Sequence, residues 1–403
     1  MTQPIVARPA RTQPARGFWT YALVFGVVMV VASTPSPLYP LYRDRFGFSA
    51  AVLTIVFAIY VVAMLVTMLT AGSLSDHVGR RPVMLTGLAL VAVATVVFAF
   101  AASTAWLLVA RAVQGVGTGL VSVVASAGAL DTNPPDKPGA AAIASNVVPS
   151  AGLAACGLVS GVFVEGLPCP LQLVWWVLFG ALLVACLAVL RLPETSPMRP
   201  GALASLIPRV GIPEHLRSRF RVAIPCWAAC WGTGGIYLSL GTSMVKQVLG
   251  IDNALVGGLA IAALWVPGIT APFIARSWTY LRMMTLGALL LGLGTVGMVL
   301  SFRASAPVPF FICTAAMGFG FGILQTSSYG TVAAHIRDDE RSTVVSTFFT
   351  VNYIAFSAPS VVAGFLTARL GLQHASEIAA GWVVLLCATS LLGIYYRRPL
   401  ITR

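Results

Sequence analysis

Long apolar stretches recur from end to end of the chain, separated by short polar or charged gaps. Crossing ~30 Å of hydrocarbon takes about 20 apolar residues, and backbone amides in lipid must be satisfied within their own segment, so the pattern predicts membrane-spanning helices. They fall at 18–38, 50–71, 83–103, 106–128, 140–163 and 171–191, then at 221–243, 254–274, 283–302, 308–333, 344–367 and 377–396. The expected fold class is an all-α membrane protein of twelve transmembrane helices. The first apolar run follows Arg8, Arg11 and Arg16 as a signal peptide would, but it is too long for a cleavable region and further spans follow, so it counts as span 1.

The longest gap, residues 192–220, carries Pro193, Pro197, Pro200, Pro208 and Pro213 and divides the spans six and six. The expected organisation is a tail (1–17), a first six-helix half (18–191), a middle loop (192–220), a second half (221–396) and a short tail (397–403). Adding 203 to a residue number tests for duplication. Gly47 meets Gly250, Ala51 meets Ala254, Gly115, Gly117 and Gly119 meet Gly318, Gly320 and Gly322, and Gly161 meets Gly364. One offset serving three regions is what two parallel, pseudo-symmetric repeats produce, and such repeats place a binding site between them.

Hydrophobic residues make up 58% of the 403 positions and charged ones 9%, which excludes a soluble protein. The net charge of +13 raises the question of nucleic acid, and the placement of the 25 basic residues answers it. Nineteen lie in the tails and in the loops on the same side as the tails. Five lie opposite (Arg43, Arg45, Lys246, Arg303, Arg369), and Arg111 sits within span 4. This bias puts both termini in the cytoplasm and leaves no basic patch for nucleic acid. The preference for Arg over Lys, with much Ala, Gly and Val, fits a GC-rich bacterial genome and a cytoplasmic (inner) membrane location. Six of seven cysteines fall inside spans, so no disulfide framework is expected, and Cys226 and Cys230 read as packing residues rather than metal ligands.

The loop after span 2 reads Gly72-Ser-Leu-Ser-Asp76-His-Val-Gly79-Arg80-Arg81-Pro82. Glycine permits the tight turn, Asp76 can face a helix N-terminus across the half interface, and Arg80 can pair with carboxylates. This loop, with the six-plus-six plan over essentially the whole chain, resembles the signature loop of the major facilitator superfamily. The resemblance implies a cytoplasmic latch in which Asp76, Arg80 and Asp131, at the inner end of span 4, form a charge cluster that rearranges between access states. A topology signal with solvated charges is the alternative. The corresponding second-half loop, Ala275 to Met284, lacks the pattern.

Span 4 carries Arg111-Ala-Val-Gln114-Gly115-Val-Gly117-Thr-Gly119, similar to the family's second motif, in which the arginine projects toward the cavity. A charge at membrane depth marks a pathway, unless it snorkels to the interface. Span 5 carries Asn146-Val-Val-Pro149-Ser-Ala-Gly152 and then Gly157 to Gly161, in part like the family's exporter motif, with Val148 and Leu153 where glycines are expected. Leu192-Pro193-Glu194-Thr195 resembles the family's exit from the first half.

Gln114, Asn146, Trp227, Trp231, Tyr237, Gln325, Tyr329, Asn352 and Tyr353 are polar or aromatic at membrane depth and could line a cavity, with helix packing as the alternative for each. Trp106, Trp175 and Trp176 read as interfacial belt anchors. All twelve acids map to loops or helix ends, Asp131 and Glu165 lying nearest the spans, so a proton-carrying carboxylate is implied by the resemblance alone. No Walker loop, HExxH or GxSxG motif occurs, so no cofactor, ATP hydrolysis or other enzymatic chemistry is expected. The expected function is export of small amphipathic drugs or metabolites by alternating access, as a monomeric proton antiporter. Import or facilitation of a sugar or organic acid is the competing reading, and a non-transporting receptor of the same fold the third.

Overall fold

The computed structural model describes residues 13–134, 140–196, 198, 200–207, 210–337 and 340–401. Fifteen α-helices follow one another, and no strand occurs among the described residues. The first half contains α1 (Gln13–Ser33), α2 (Pro35–Phe46), α3 (Ala50–Thr70), the short α4 (Ser75–Val78), α5 (Arg80–Ala99), α6 (Thr104–Asp131), α7 (Ala140–Gly166) and α8 (Pro170–Leu190). The second contains α9 (Arg217–Gln247), α10 (Ala254–Ile274), α11 (Tyr280–Arg303), α12 (Pro307–Ala333), α13 (Arg341–Leu370), α14 (Leu372–Tyr396) and the short α15 (Arg398–Ile401).

Spans 2 to 12 correspond to α3, α5 to α8 and α9 to α14. Span 1 differs from the expectation: it runs on to Phe46 and is broken at Thr34 into α1 and α2. Pro35 and Pro37 have no amide hydrogen, so the ladder cannot continue through them. Eleven of the twelve helices are long and apolar enough to cross a bilayer, and α9 is the exception. Its moderate hydropathy has a structural cause, since every residue from Gly232 to Gly241 is buried against protein rather than lipid.

The caps follow the sequence. Ser49 Oγ accepts the Val52 N–H ahead of α3, and Asn253 Oδ1 accepts that of Val256 ahead of α10. Gly47 and Gly250, related by the 203-residue offset, both take φ of 69°, a left-handed conformation that glycine adopts without Cβ strain. The repeat is also visible in packing. A Cβ on Gly115 of α6 would collide with the Tyr60 carbonyl of α3, and one on Gly318 of α12 with the Leu264 carbonyl of α10.

One apolar core lies wholly in the first half, and a second fills the second half and continues across the junction onto Phe57, Tyr60, Met64 and Cys156. The halves meet chiefly through α7 against α10 and α3 against α13. Their closest approaches lie toward the end of the bundle opposite the chain termini. There Gly157 backs onto Gly258, Gly161 onto Leu255, and Gly364 onto Thr54, with no room for a side chain at any of the four glycines. Trp175 departs from the expected belt: it is fully buried, stacks on Phe98 at 4.4 Å and donates Nε1–H to Tyr42 Oη at 2.8 Å. Trp106 and Trp176 are exposed.

Candidate functional site

Three groupings carry chemistry. The first lies at the terminal end of the bundle, where the chain turns from α3 into α5. Gly79, at φ 118°, brings the first turn of α5 against the segment leaving α8. A Cβ on Gly79 would press against Glu194 Oε2 and the Pro82 ring, so glycine is required here both for its φ and for this approach. The Arg80 guanidinium is nearly buried and sits between Asp76 (2.5 Å), Asp131 (3.0 Å) and Ser75 Oγ (2.6 Å). The structure therefore brings Asp76, Arg80 and Asp131 together. Asp76 turns to Arg80 of its own half rather than, as expected, to a helix of the other half among the described residues. Gly72 lies in the preceding turn, and the Arg81 side chain forms no ion pair among the described residues.

Glu194 completes this grouping. Its carboxylate accepts the backbone N–H of Arg80 (2.7 Å) and Arg81 (3.1 Å), capping α5, and also those of Thr195 and Ser196 in its own turn. Burial opposes its ionisation, but the N–H groups of Ser196, Arg80, Arg81 and Thr195 together outweigh it and hold the pKa below the ordinary carboxylate value. The Thr195 hydroxyl donates to Asp131 at 3.1 Å, tying the middle loop to α6. Sequence reading singled out Leu192-Pro193-Glu194-Thr195 only as an exit motif. The signal for more was an acid followed by two hydroxyl residues, Thr195 and Ser196, opposite a helix whose own N-cap is glycine.

The second grouping surrounds Arg111, which is 1% exposed and so does not snorkel. Its Nε donates to Tyr39 Oη at 2.7 Å, and Nη1 donates to the Ala32 carbonyl (2.7 Å) and to Gln114 Oε1 (2.8 Å). Gln114 Nε2 in turn donates to the Val31 carbonyl at 3.1 Å. Pro35 explains the arrangement: lacking N–H, it cannot serve the carbonyl four residues earlier, Val31, and α6 supplies the missing donor. The guanidinium also lies over the Tyr60 ring at 4.8 Å and the Tyr39 ring at 5.4 Å. No carboxylate pairs with it among the described residues.

The third grouping is an aromatic wall in the second half. Trp231, midway along α9, has its ring against Phe356 (5.8 Å), Tyr353 (6.0 Å), Phe321 (6.3 Å) and Trp265 (6.4 Å). Phe57 of the first half meets Phe356 at 5.4 Å, so the wall stands at the junction of the halves. Gln325 follows Phe321 by four residues, and Asn352 precedes Phe356 by four, which puts both on the faces turned to Trp231.

The other expected cavity residues lie elsewhere. Trp227 is buried toward the terminal end among Phe220, Phe348 and Val344, and Tyr329 packs on Phe348. Tyr237 turns into its own half, its hydroxyl 2.8 Å from Thr314 Oγ1. Pro149 lies within α7, which continues through it, and the Asn146 side chain lies outside the described residues. Trp265, Phe321 and Phe356, which belong to the wall, were not distinguishable in the sequence from core aromatics.

Across the interface, the Glu165 carboxylate at the end of α7 accepts the Ala254 N–H at the start of α10 (2.6 Å). It is the polar counterpart of the Gly157 and Gly161 contacts.

Residues 21–360 match the family model described as Major Facilitator Superfamily. The chain is 25% identical over 297 residues, 72% of its length and 75% of the relative's, to multidrug resistance protein MdtL of Klebsiella pneumoniae. It is 44% identical over 88 residues to the protein of that name in a Shewanella species, spanning 22% of that relative's length. In overall fold it superposes, with TM-score 0.75 and 13% identity, on a bacterial homolog of the human lysosomal transporter Spinster in an inward-facing, occupied conformation, covering 97% of this chain and 99% of that one. The unoccupied inward-facing form of that homolog gives a TM-score of 0.74.

Proposed function

We infer that this chain, which belongs to the Major Facilitator Superfamily and is a multi-pass membrane transporter, exports small amphipathic compounds from a bacterial cytoplasm by alternating access and proton antiport. The observation that carries the reading is the aromatic wall around Trp231 at mid-bundle, joined to the first half through Phe57. A wall of rings with few hydrogen-bonding groups suits amphipathic solutes better than sugars, which need many polar partners. Similarity to the MdtL proteins, multidrug resistance proteins by name, supports the same direction.

The distribution of basic residues puts the terminal end of the bundle in the cytoplasm. On that orientation the close glycine contacts of α7 with α10 and of α3 with α13 shut the outer side. The Asp76, Arg80, Asp131 and Glu194 cluster sits on the inner side, where it serves as the latch that remakes its contacts as the halves rock. Arg111 holds the break between α1 and α2 in register with α6. Asp131 and Glu165 are the acids closest to the pathway and the ones to test for proton coupling. The protein acts as a monomer, with the lipid bilayer, protons and a small-molecule substrate as its partners.

The test is accumulation of a panel of fluorescent amphipathic dyes in cells expressing the protein. Less dye should accumulate with the wild type than with Arg111→Ala at equal membrane expression. Accumulation unchanged or raised across the whole panel would count against export and favour import of a polar solute.

A further inference from the structure

Most buried hydroxyls of this bundle are satisfied by the fold itself, Tyr21 and Thr118 being exceptions among the described residues. Thr233 donates to the Ala229 carbonyl, Ser327 to Ile323, Ser328 to Leu324 and Ser360 to Phe356, each one turn back in its own helix. Unpartnered buried polar atoms gather at the aromatic wall, the Trp227 indole lying nearby toward the terminal end. The indole Nε1 atoms of Trp231 and Trp265, the Gln325 Oε1 and both amide atoms of Asn352 are buried without a hydrogen-bond partner among the described residues. Asn352 is 1% exposed and lies toward the middle of α13. Leaving such groups unpaired is costly, and apolar residues of similar size would remove the cost. Their convergence on one ring, Trp231, from four helices marks a place for a ligand rather than a packing seam.

The chemistry of the wall limits that ligand. Trp265, Asn352, Phe321 and Phe356 are buried and form the back, while Trp231, Gln325 and Tyr353 are partly exposed and form the accessible rim. The rings meet edge-on or tilted around Trp231 and present aromatic edges and faces that favour an aromatic ligand. Two indole N–H groups and the Asn352 Nδ2 are donors, so the ligand must present acceptors, while Gln325 Oε1 and Asn352 Oδ1 can each take one donor. No carboxylate stands at this depth among the described residues, so a cation would have no counter-charge. The one charge at membrane depth, Arg111, lies on the Tyr60 ring, and Tyr60 belongs to the same packed cluster as Trp231 and Tyr353. Its field disfavours a cation further.

We propose that Trp231, Trp265, Gln325 and Asn352 form the substrate site and that it takes uncharged planar aromatic compounds bearing hydrogen-bond acceptors, in preference to organic cations. The proposal rests on the export reading for its direction of transport and on the wall alone for its ligand class.

The test uses purified protein in nanodiscs and two probes of one shape. These are 1-methylquinolin-2-one, neutral with a carbonyl acceptor, and 1-methylquinolinium, a permanent cation; binding is measured by equilibrium dialysis against empty nanodiscs. The wild type should bind the quinolone about tenfold or more tightly than the quinolinium. Asn352→Leu should weaken quinolone binding by about five- to tenfold, the effect of one lost hydrogen bond in a dry site. Asn352→Asp should reverse the preference by supplying the missing counter-charge, which a merely structural asparagine would not do. Trp231→Phe keeps the ring and removes the donor, and gives the same readout if the Asn352 variants do not fold. Equal or tighter quinolinium binding by the wild type, no specific binding of either probe, or an unchanged preference in the Asn352→Asp variant overturns the ligand class. Dye export persisting beside any of these results leaves the export reading standing, whereas quinolone binding without export of any dye removes the export reading alone.

Discussion

Replacing Glu194 probes a contact that links the middle loop to the first half. Its two carboxylate oxygens take the first two N–H groups of α5, a helix whose N-cap, Gly79, has no side chain to offer. Loss of an N-cap costs about 1 kcal/mol, and hydrogen bonds to a charged group add to this, so Glu194→Ala should weaken the first turn by about 1–2 kcal/mol. That corresponds to roughly 5–30-fold more frequent local opening. Glu194→Gln, which keeps one acceptor oxygen and loses the charge, should fall between the two. Amide hydrogen exchange of a peptide covering residues 79–84 measures the opening. The start of α11, capped by Thr279 on Arg282, provides a control that should not change.

The pH dependence follows from the same geometry. The folded pKa of Glu194 is depressed, so its contribution is present above the unfolded value of 4.5 and is lost as pH falls through the lower folded value. The gap between wild type and Glu194→Gln should therefore be full at neutral pH and narrow once pH drops below 4.5. Wild-type exchange in the α5 peptide of Glu194→Ala would refute the capping argument.

Three further outcomes are expected. Arg111→Lys keeps the charge but not the planar fork that reaches Tyr39, Ala32 and Gln114 at once, so transport should fall by an order of magnitude or more with insertion intact; dye efflux at matched expression measures it, and wild-type efflux would show that only charge matters. Gly258→Leu should wedge α10 from α7, because Gly157 leaves no room, and expose the buried Cys156 to an impermeant maleimide in a background lacking the other cysteines; unchanged labelling would refute the outer-side contact. Glu165→Gln replaces the carboxylate that holds the Ala254 N–H, so the same labelling should rise modestly, whereas transport-driven proton movement in proteoliposomes should persist unless Glu165 is also the coupling acid.

The sequence by itself determined the membrane, the number of spans and their duplication. Lipid imposes a length and an apolarity on each span, and a gene duplication leaves a constant offset, so Gly47 and Gly250 or Gly115 and Gly318 could be paired before any coordinate was known. It also confined Asp76 and Arg80 to one short turn between two spans, and the family resemblance, not the spacing, added Asp131 from the end of span 4. What it could not decide were contacts between residues far apart in the chain. Glu194 reaches α5 only because α8 ends beside it, and Arg111 finds Ala32 and Val31 only because the proline break in span 1 faces α6. Trp175, Trp227 and Tyr237 have the same composition-level signature as Trp231, yet the first three are packed within one half and only Trp231 stands at the junction. Which side of a helix faces lipid, its own half or the other half is a property of helix rotation and packing. In a helix apolar on every face the sequence carries almost no signal for that rotation, and tertiary structure alone supplies it.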